Sequence, residues 1–214
     1  MKFKYFLFDF DGTLVNSMPT FVSSMLRILN ENNISYGSDI TKTITPLGLG
    51  GTADYFIDNL GLNMNKERLM GIMVEYMSEA YFNTIPLKEN VQDVLNKLKS
   101  NGASLNILTA SPHVTLDACL KRLGIWELFD NVWSCDDFGT NKANPQIYVS
   151  AAQKIGAEVN KVLFLDDNLN ADITAKKAGM AVCGVYDASS DDYVQEIKDN
   201  TDYYIYNFSE LLDI

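Results

Sequence analysis

Asp9 and Asp11 follow an apolar run at residues 3–8, in the string Asp9-Phe10-Asp11-Gly12-Thr13-Leu14-Val15-Asn16-Ser17. Apolar and aromatic side chains packed this densely read as a strand covered on both faces, and Asp-Gly behind it marks an abrupt turn out of the sheet. Two positions apart in an extended chain, the carboxylates leave on the same side. Held that close they repel, and a bound divalent cation or a shared proton relieves the repulsion. An Asx turn at a strand end uses the same letters. The chemical reading gains from a second apolar run that ends on acids, Lys161-Val162-Leu163-Phe164-Leu165-Asp166-Asp167-Asn168-Leu169-Asn170-Ala171-Asp172. In an open parallel sheet ligands bind outside the carboxyl ends of the strands, so both clusters would face one crevice.

The elements that must position these acids alternate along the chain. The pattern predicts strands at 3–10, 103–109, 131–134, 161–165, 180–186 and 203–206, with helices at 88–101, 113–124, 145–156, 169–179 and 190–199. Residues 17–32 and pieces of 39–84 read as helical, with a stripe of Met70, Met73, Tyr76, Met77, Ala80 and Tyr81 at core spacing. Alternation of this kind means an α/β fold: a doubly wound, Rossmann-like parallel sheet formed by 1–16 and 85–214, with an inserted helical domain at 17–84. The strand at 103–109 ends on hydroxyls, and Thr109 with the next amides could hold a phosphate oxygen near a helix start. Ser111 fits a helix-capping turn equally well. Lys142 lies in a polar loop ahead of Pro145, where a lysine is usually just solvated.

Four motifs in this order resemble the haloacid dehalogenase-like hydrolases: Asp-x-Asp-Gly-Thr at 9–13, a strand ending in Thr109, Lys142 ahead of Asn144-Pro145, and Asp166-Asp167-x-x-x-x-Asp172. The resemblance covers the chain to about residue 17 and again from about 86 onward; between, it extends only to length and helical character. It implies that Asp9 is a nucleophile for a phosphoryl group and Asp11 a general acid and base. Thr109, the Ala110 amide and Lys142 would hold the phosphoryl oxygens. Asp167 would bind Mg2+ with Asp9 and the main-chain carbonyl of Asp11, and Asp166 and Asp172 would lie in or just behind the metal shell. The dehalogenating branch has a different residue at Asp11, because halide leaves without a proton, so the resemblance favours a phosphatase acting on a small phosphorylated metabolite, in the manner of phosphoglycolate phosphatases. A departure is Asn16, where relatives often carry Asp. Sugar phosphomutases share the layout but place basic side chains near the glycine corresponding to Gly48, where this chain offers only Lys42. A non-catalytic binding protein on the same fold predicts loss of a charged motif residue, and none is lost.

Composition narrows the partners. The net charge of −11, with 17 Lys and Arg spread along the chain, argues against nucleic acid and anionic membranes. Cys119, Cys135 and Cys183 are widely spaced and read as buried reduced thiols of a cytoplasmic protein. No segment approaches the length of a membrane span, and the first apolar run is cut by Asp9 too early for a signal peptide. The string Gly48-Leu49-Gly50-Gly51-Thr52-Ala53 spells a dinucleotide fingerprint, but Pro46 interrupts the strand that should precede it, so it reads as a flexible loop that could close on substrate. His113, at a helix start, reads as a surface residue.

Overall fold

The computed structural model describes residues 2–214, the side chain of Pro46 excepted, and the backbone at Thr45–Leu47 forms a 3-10 turn where the sequence reading placed a break. The chain divides into two compact units: a sheet unit of Met1–Asn16 with Pro86–Ile214, and a helical unit of Ser17–Ile85.

Among the described residues of the sheet unit, six parallel strands pair in the order β3-β2-β1-β4-β5-β6. They are β1 (Tyr5–Phe8), β2 (Ser104–Thr109), β3 (Asn131–Ser134), β4 (Val162–Asp166), β5 (Ala181–Val185) and β6 (Tyr203–Ile205). In register, Tyr5 lies opposite Ser104 on one side and Val162 on the other. Strand order reverses between β1 and β4, so the crevice outside their carboxyl ends is where an open α/β sheet receives ligands. The strands form because their apolar runs are buried on both faces: Phe6, Leu7, Phe8, Leu163, Phe164 and Leu165 are all buried. Each such side chain contributes about 1.5–3 kcal/mol on leaving water. Leu7 and Phe164 pack with Tyr148, Ile147 and Val182 in one cluster, and the Tyr148 and Phe164 rings meet edge-on at 5.0 Å.

The helical unit contains α1 (Met18–Glu31), α2 (Ile40–Ile44), α3 (Gly48–Asp58) and α4 (Lys66–Asn83). Asn65 caps α4 by accepting from the Arg68 amide at 2.9 Å. Met73, Met77, Ala80 and Tyr81 of the aromatic and methionine stripe are buried, against Phe21, Met25 and Leu29 in the same unit's apolar set. The glycine string corrects the sequence reading: Gly48, Gly50 and Gly51 are the first turns of α3, not a flexible loop. Buried Thr52, Ala53 and Phe56 anchor the helix face and outweigh the weak helix propensity of glycine. A Cβ at Gly51 would come 3.0 Å from Leu47 Cβ, which favours glycine where this turn packs on its neighbour.

Returning to the sheet unit, the remaining helices are α5 (Val91–Ser100), α6 (His113–Arg122), α7 (Gln146–Ile155), α8 (Leu169–Ala178) and α9 (Val194–Asn200). α5 starts three residues later than its pattern predicts: Asn90 has φ 64° and the Lys88 amide donates to Leu14 O at 3.0 Å, so residues 88–90 form a turn rather than helix. The helix expected at 190–199 is split into a 3-10 segment, Ala188–Tyr193, and α9, with Asp187 capping the segment by accepting from the Ser189 amide.

Candidate active site

β1 ends at Phe8, one residue short of the acids, yet the Asp9 amide still donates to Leu165 O at 2.8 Å and holds the nucleus of the site against β4. The chain then turns sharply. Gly12 has φ 77°, and its amide donates to Val15 O at 3.0 Å. A Cβ there would stand 2.5 Å from the Asp167 carboxylate, so only glycine fits this approach.

Asp9, Asp166 and Asp167 each bring a carboxylate oxygen to within 4.8 Å of the others, and all three are buried. Lys142, reaching in from the loop before α7, pairs with Asp9 and donates to Asp166 Oδ2 at 2.7 Å. Tyr148 on α7 holds that loop from behind: its hydroxyl faces the carbonyls of Lys142 at 3.1 Å and of Ala171 at 3.2 Å. The other oxygen of Asp166 accepts from the Asn168 amide at 2.8 Å, and Asp167 Oδ1 accepts from the Thr13 hydroxyl at 3.2 Å. Asp11 turns a different way: its Oδ2 accepts from the Ser111 hydroxyl at 2.5 Å, just beyond β2. Thr109 is buried at the end of β2, and its oxygen accepts from the Ser111 amide at 3.1 Å, which leaves its own proton to donate. Ala110 follows and is exposed. Asp172, in the first turn of α8, is fully buried and both of its carboxylate oxygens lack a hydrogen-bond partner.

Burial dominates the electrostatics. It pushes Asp9 up to about 7, against the pull of Lys142 and with added repulsion from Asp166 and Asp11. Burial, then the charges of Asp166 and Asp9, hold Asp167 well above the ordinary carboxylate range, and Asp172 is raised by burial and by Asp166 and Asp167. Burial works against the charge of Lys142, but Asp166 and Asp9 beside it raise its pKa well above the ordinary lysine value. Three carboxylates therefore lie together, and the Lys142 ammonium pairs with only two of them, Asp9 and Asp166. A divalent cation fits this donor set, because oxygen ligands suit a hard cation and its charge offsets the excess that burial makes costly.

Several residues of this neighbourhood escaped the sequence reading. Thr13 stands in the motif at 9–13, but its tie to Asp167, 154 positions away, carries no local signal, and neither does the inward turn of the Tyr148 hydroxyl. Lys88 is half-buried and reaches Gly12 O, Tyr186 O and Asp187. Asp187 itself followed a signal already in use, an acid just past the end of a buried strand. His113 bridges Asp117 and Asp137, each at 2.8 Å, and Asp137 accepts from the Ser134 amide at 2.9 Å, so the imidazole ties the start of α6 to the turn after β3. Lys42 lies exposed on α2. Asn16 donates its amide to Pro86 O at 3.0 Å, where the two crossing segments of the sheet unit run side by side. The three cysteines are buried and free.

The family described as Haloacid dehalogenase-like hydrolase matches residues 6–185. A phosphoglycolate phosphatase of Haemophilus influenzae is 29% identical over 223 residues, covering 100% of this chain and 98% of that protein. The pyrophosphatase PpaX of Halalkalibacterium halodurans is 28% identical over 221 residues, covering 100% of this chain and 97% of its own length. The HAD-hydrolase YfnB of Bacillus subtilis, solved bound to magnesium, superposes with a TM-score of 0.82 at 18% identity, over 100% of this chain and 98% of that one, and so shares the fold.

Proposed function

The chain belongs to the haloacid dehalogenase-like hydrolases, and from that premise we propose that it is a magnesium-dependent phosphatase that hydrolyses a small phosphate monoester through an aspartyl-phosphate on Asp9. The observation that carries this reading is the buried meeting of Asp9, Asp166 and Asp167 around Lys142 at the switch point of the sheet. Matched relatives named as phosphatases over their full length support the same class of reaction.

In this mechanism the Asp9 carboxylate attacks phosphorus in line with the leaving oxygen. Asp11 gives that oxygen its proton and then takes one from the water that hydrolyses the acyl phosphate. The Ser111 hydroxyl, bonded to Asp11 at 2.5 Å, keeps the carboxyl aimed between these tasks. The Thr109 hydroxyl, the Ala110 amide and the Lys142 ammonium take the non-bridging oxygens of the phosphoryl group. Asp9, Asp167 and the Asp11 carbonyl would hold Mg2+, with Asp166 and Asp172 at or behind that shell; the ion, when bound, neutralises charge so that an anionic nucleophile can approach an anionic phosphate. Asp166 is given the lesser part because both of its oxygens already serve Lys142 and the Asn168 amide.

The helical unit is assigned substrate discrimination, since the sheet unit supplies every group proposed around the transferred phosphoryl. Hydrolysis is favoured over mutase chemistry because the segment around Gly48 offers Lys42 alone as a cation for a second phosphate, and Lys42 lies exposed on α2. The test is a screen of phosphorylated metabolites and of pyrophosphate with and without magnesium. Turnover of monoesters that stops on chelation is expected; turnover of pyrophosphate alone would correct the substrate class, and no turnover of anything would end the reading.

A further inference from the structure

Lys88 is buried far more than a loop lysine normally is, and it is paired on every donor. Its ammonium reaches Gly12 O at 2.6 Å, Tyr186 O at 2.5 Å and Asp187 Oδ2 at 3.2 Å. An ammonium has three N–H bonds, so none remains to hook a phosphate. Asp187 is itself fixed, accepting from the Ser189 amide at 2.9 Å and the Ser189 hydroxyl at 2.7 Å. The main chain around Lys88 is stitched to the same turn: its amide donates to Leu14 O at 3.0 Å and Leu87 bridges Val15 in an antiparallel pair. Lys88 therefore joins three segments of the sheet unit, the turn at 11–15, the end of β5, and the stretch where the chain re-enters at Pro86.

We propose that Lys88 is a positioning residue for the reaction: by pinning the Gly12 carbonyl it fixes the turn that carries Asp11, and so fixes where the Asp11 carboxyl points. The inference rests on the reading of Asp11 as general acid and base. Gly12 is the right handle, because Asp167 packs against it too closely for any Cβ and the turn has little room to relax on that side. A shift of about 1 Å in a proton donor is enough to cost about a hundredfold in rate. A purely structural salt bridge would instead lower stability and leave the preference among leaving groups as it was.

The experiment compares wild type, Lys88→Met, Lys88→Arg and the double variant Lys88→Met/Asp187→Asn, the last keeping the test valid where a buried unpaired Asp187 prevents folding. Amide hydrogen exchange of the peptide over residues 9–17 is read beside kinetics on an alkyl and an aryl phosphate. We expect exchange at 11–15 to quicken about tenfold or more in the Met variants while β4 keeps its protection. kcat on the alkyl phosphate should fall about a hundredfold, and on the aryl phosphate less than about tenfold, with KM little moved and Lys88→Arg between. Unchanged exchange at 11–15, or equal losses on both substrates, would overturn the role of Lys88 alone, because wild type would still turn over both. A wild type that turns over neither would overturn the functional reading, and this role with it.

Discussion

In the helical unit the ion pairs lie on the surface: Arg27 pairs with Glu31 and Glu79, and Lys66 with Asp54, all with side chains about half exposed. In the sheet unit Asp9, Asp166, Asp167 and Asp172 are buried, and Lys142 between two of them is mostly so. The consequences for ionisation are opposite. Glu31 is held below its ordinary value by hydrogen bonds from Tyr76 and Arg27, whereas burial drives Asp9, Asp167 and Asp172 above theirs. Surface charges here are comfortable and replaceable; the buried ones are strained, and such strain persists where chemistry needs it. The contrast predicts that substitutions among the buried acids change activity steeply, while changes at these surface ion pairs of the helical unit act mainly on stability.

The largest effect should come from Asp9→Asn. Removing the nucleophile should cut turnover by on the order of 10⁴-fold or more. Stability should move the other way. With metal chelated, Asp9 in the folded protein titrates at about 7 against an ordinary 3.8, so the folded state binds the proton more tightly than the unfolded state. Stability is then greatest below the ordinary value and falls as pH rises towards 7. Urea melts of the chelated wild type between pH 4 and 8 should show that fall, and Asp9→Asn should flatten it. A variant less stable than wild type at pH 8 would break the comparison. Next in size is Asp11→Asn, where an alkyl phosphate should lose about 10²–10⁴-fold and an aryl phosphate markedly less. Equal losses would remove the acid–base role from Asp11.

Metal addition tests the same strain from outside. If a divalent ion relieves the repulsion of Asp9 and Asp167, magnesium at a hundred times its Kd should stabilise the wild type by about 2.7 kcal/mol. Asp167→Asn should lose most of that gain in thermal melts and most of its turnover. Calcium should occupy the site yet support little turnover, because its larger and looser shell misplaces the attack. Equal rates with calcium would count against the proposed geometry.

Much of the sheet unit was legible because its signals are local and periodic. The strand at 131–134 has the bounds its pattern gave, and the acids past β1 and β4 announced themselves by interrupting apolar runs. Lys88 was not legible, since its three partners lie 76 to 99 positions away and nothing near it says that it turns inward. Asn90 shows another limit: a left-handed residue outside glycine leaves the helical letters intact and moves the start of α5. The glycines of α3 misled in the opposite direction, because propensity reads one residue at a time while Thr52, Ala53 and Phe56 bury a face together.

That helix gives a stability prediction for the helical unit. Nothing stands within 4 Å of a Cβ built at Gly50, which lies in the first turns of α3, so Gly50→Ala should stabilise the protein by about 0.5–1 kcal/mol. Gly51→Val should destabilise, because its Cβ already meets Leu47 and its branches add crowding. Neither should change kcat on a small aryl phosphate. A lower melting temperature for Gly50→Ala would return this segment to the flexible loop that its letters suggest.

The smallest effect tests whether exposure, rather than membership of a unit, sets what a charge is worth. His113 belongs to the sheet unit but its side chain is 41% exposed, and hydrogen bonds to Asp117 and then Asp137 raise its pKa. A raised histidine contributes stability that is complete below its unfolded value of about 6.5 and is lost as pH rises through the folded value. Solvent screening keeps such a contribution below about 1 kcal/mol. As the only histidine, it gives a single imidazole signal whose NMR titration should place its midpoint above that of an unfolded peptide. The stability difference between wild type and His113→Gln should be largest near pH 5.5 and shrink towards pH 8.5. A difference that grows with pH would mean the imidazole works neutral, and one as large as that of Asp9 would show that position in the sheet unit matters more than exposure.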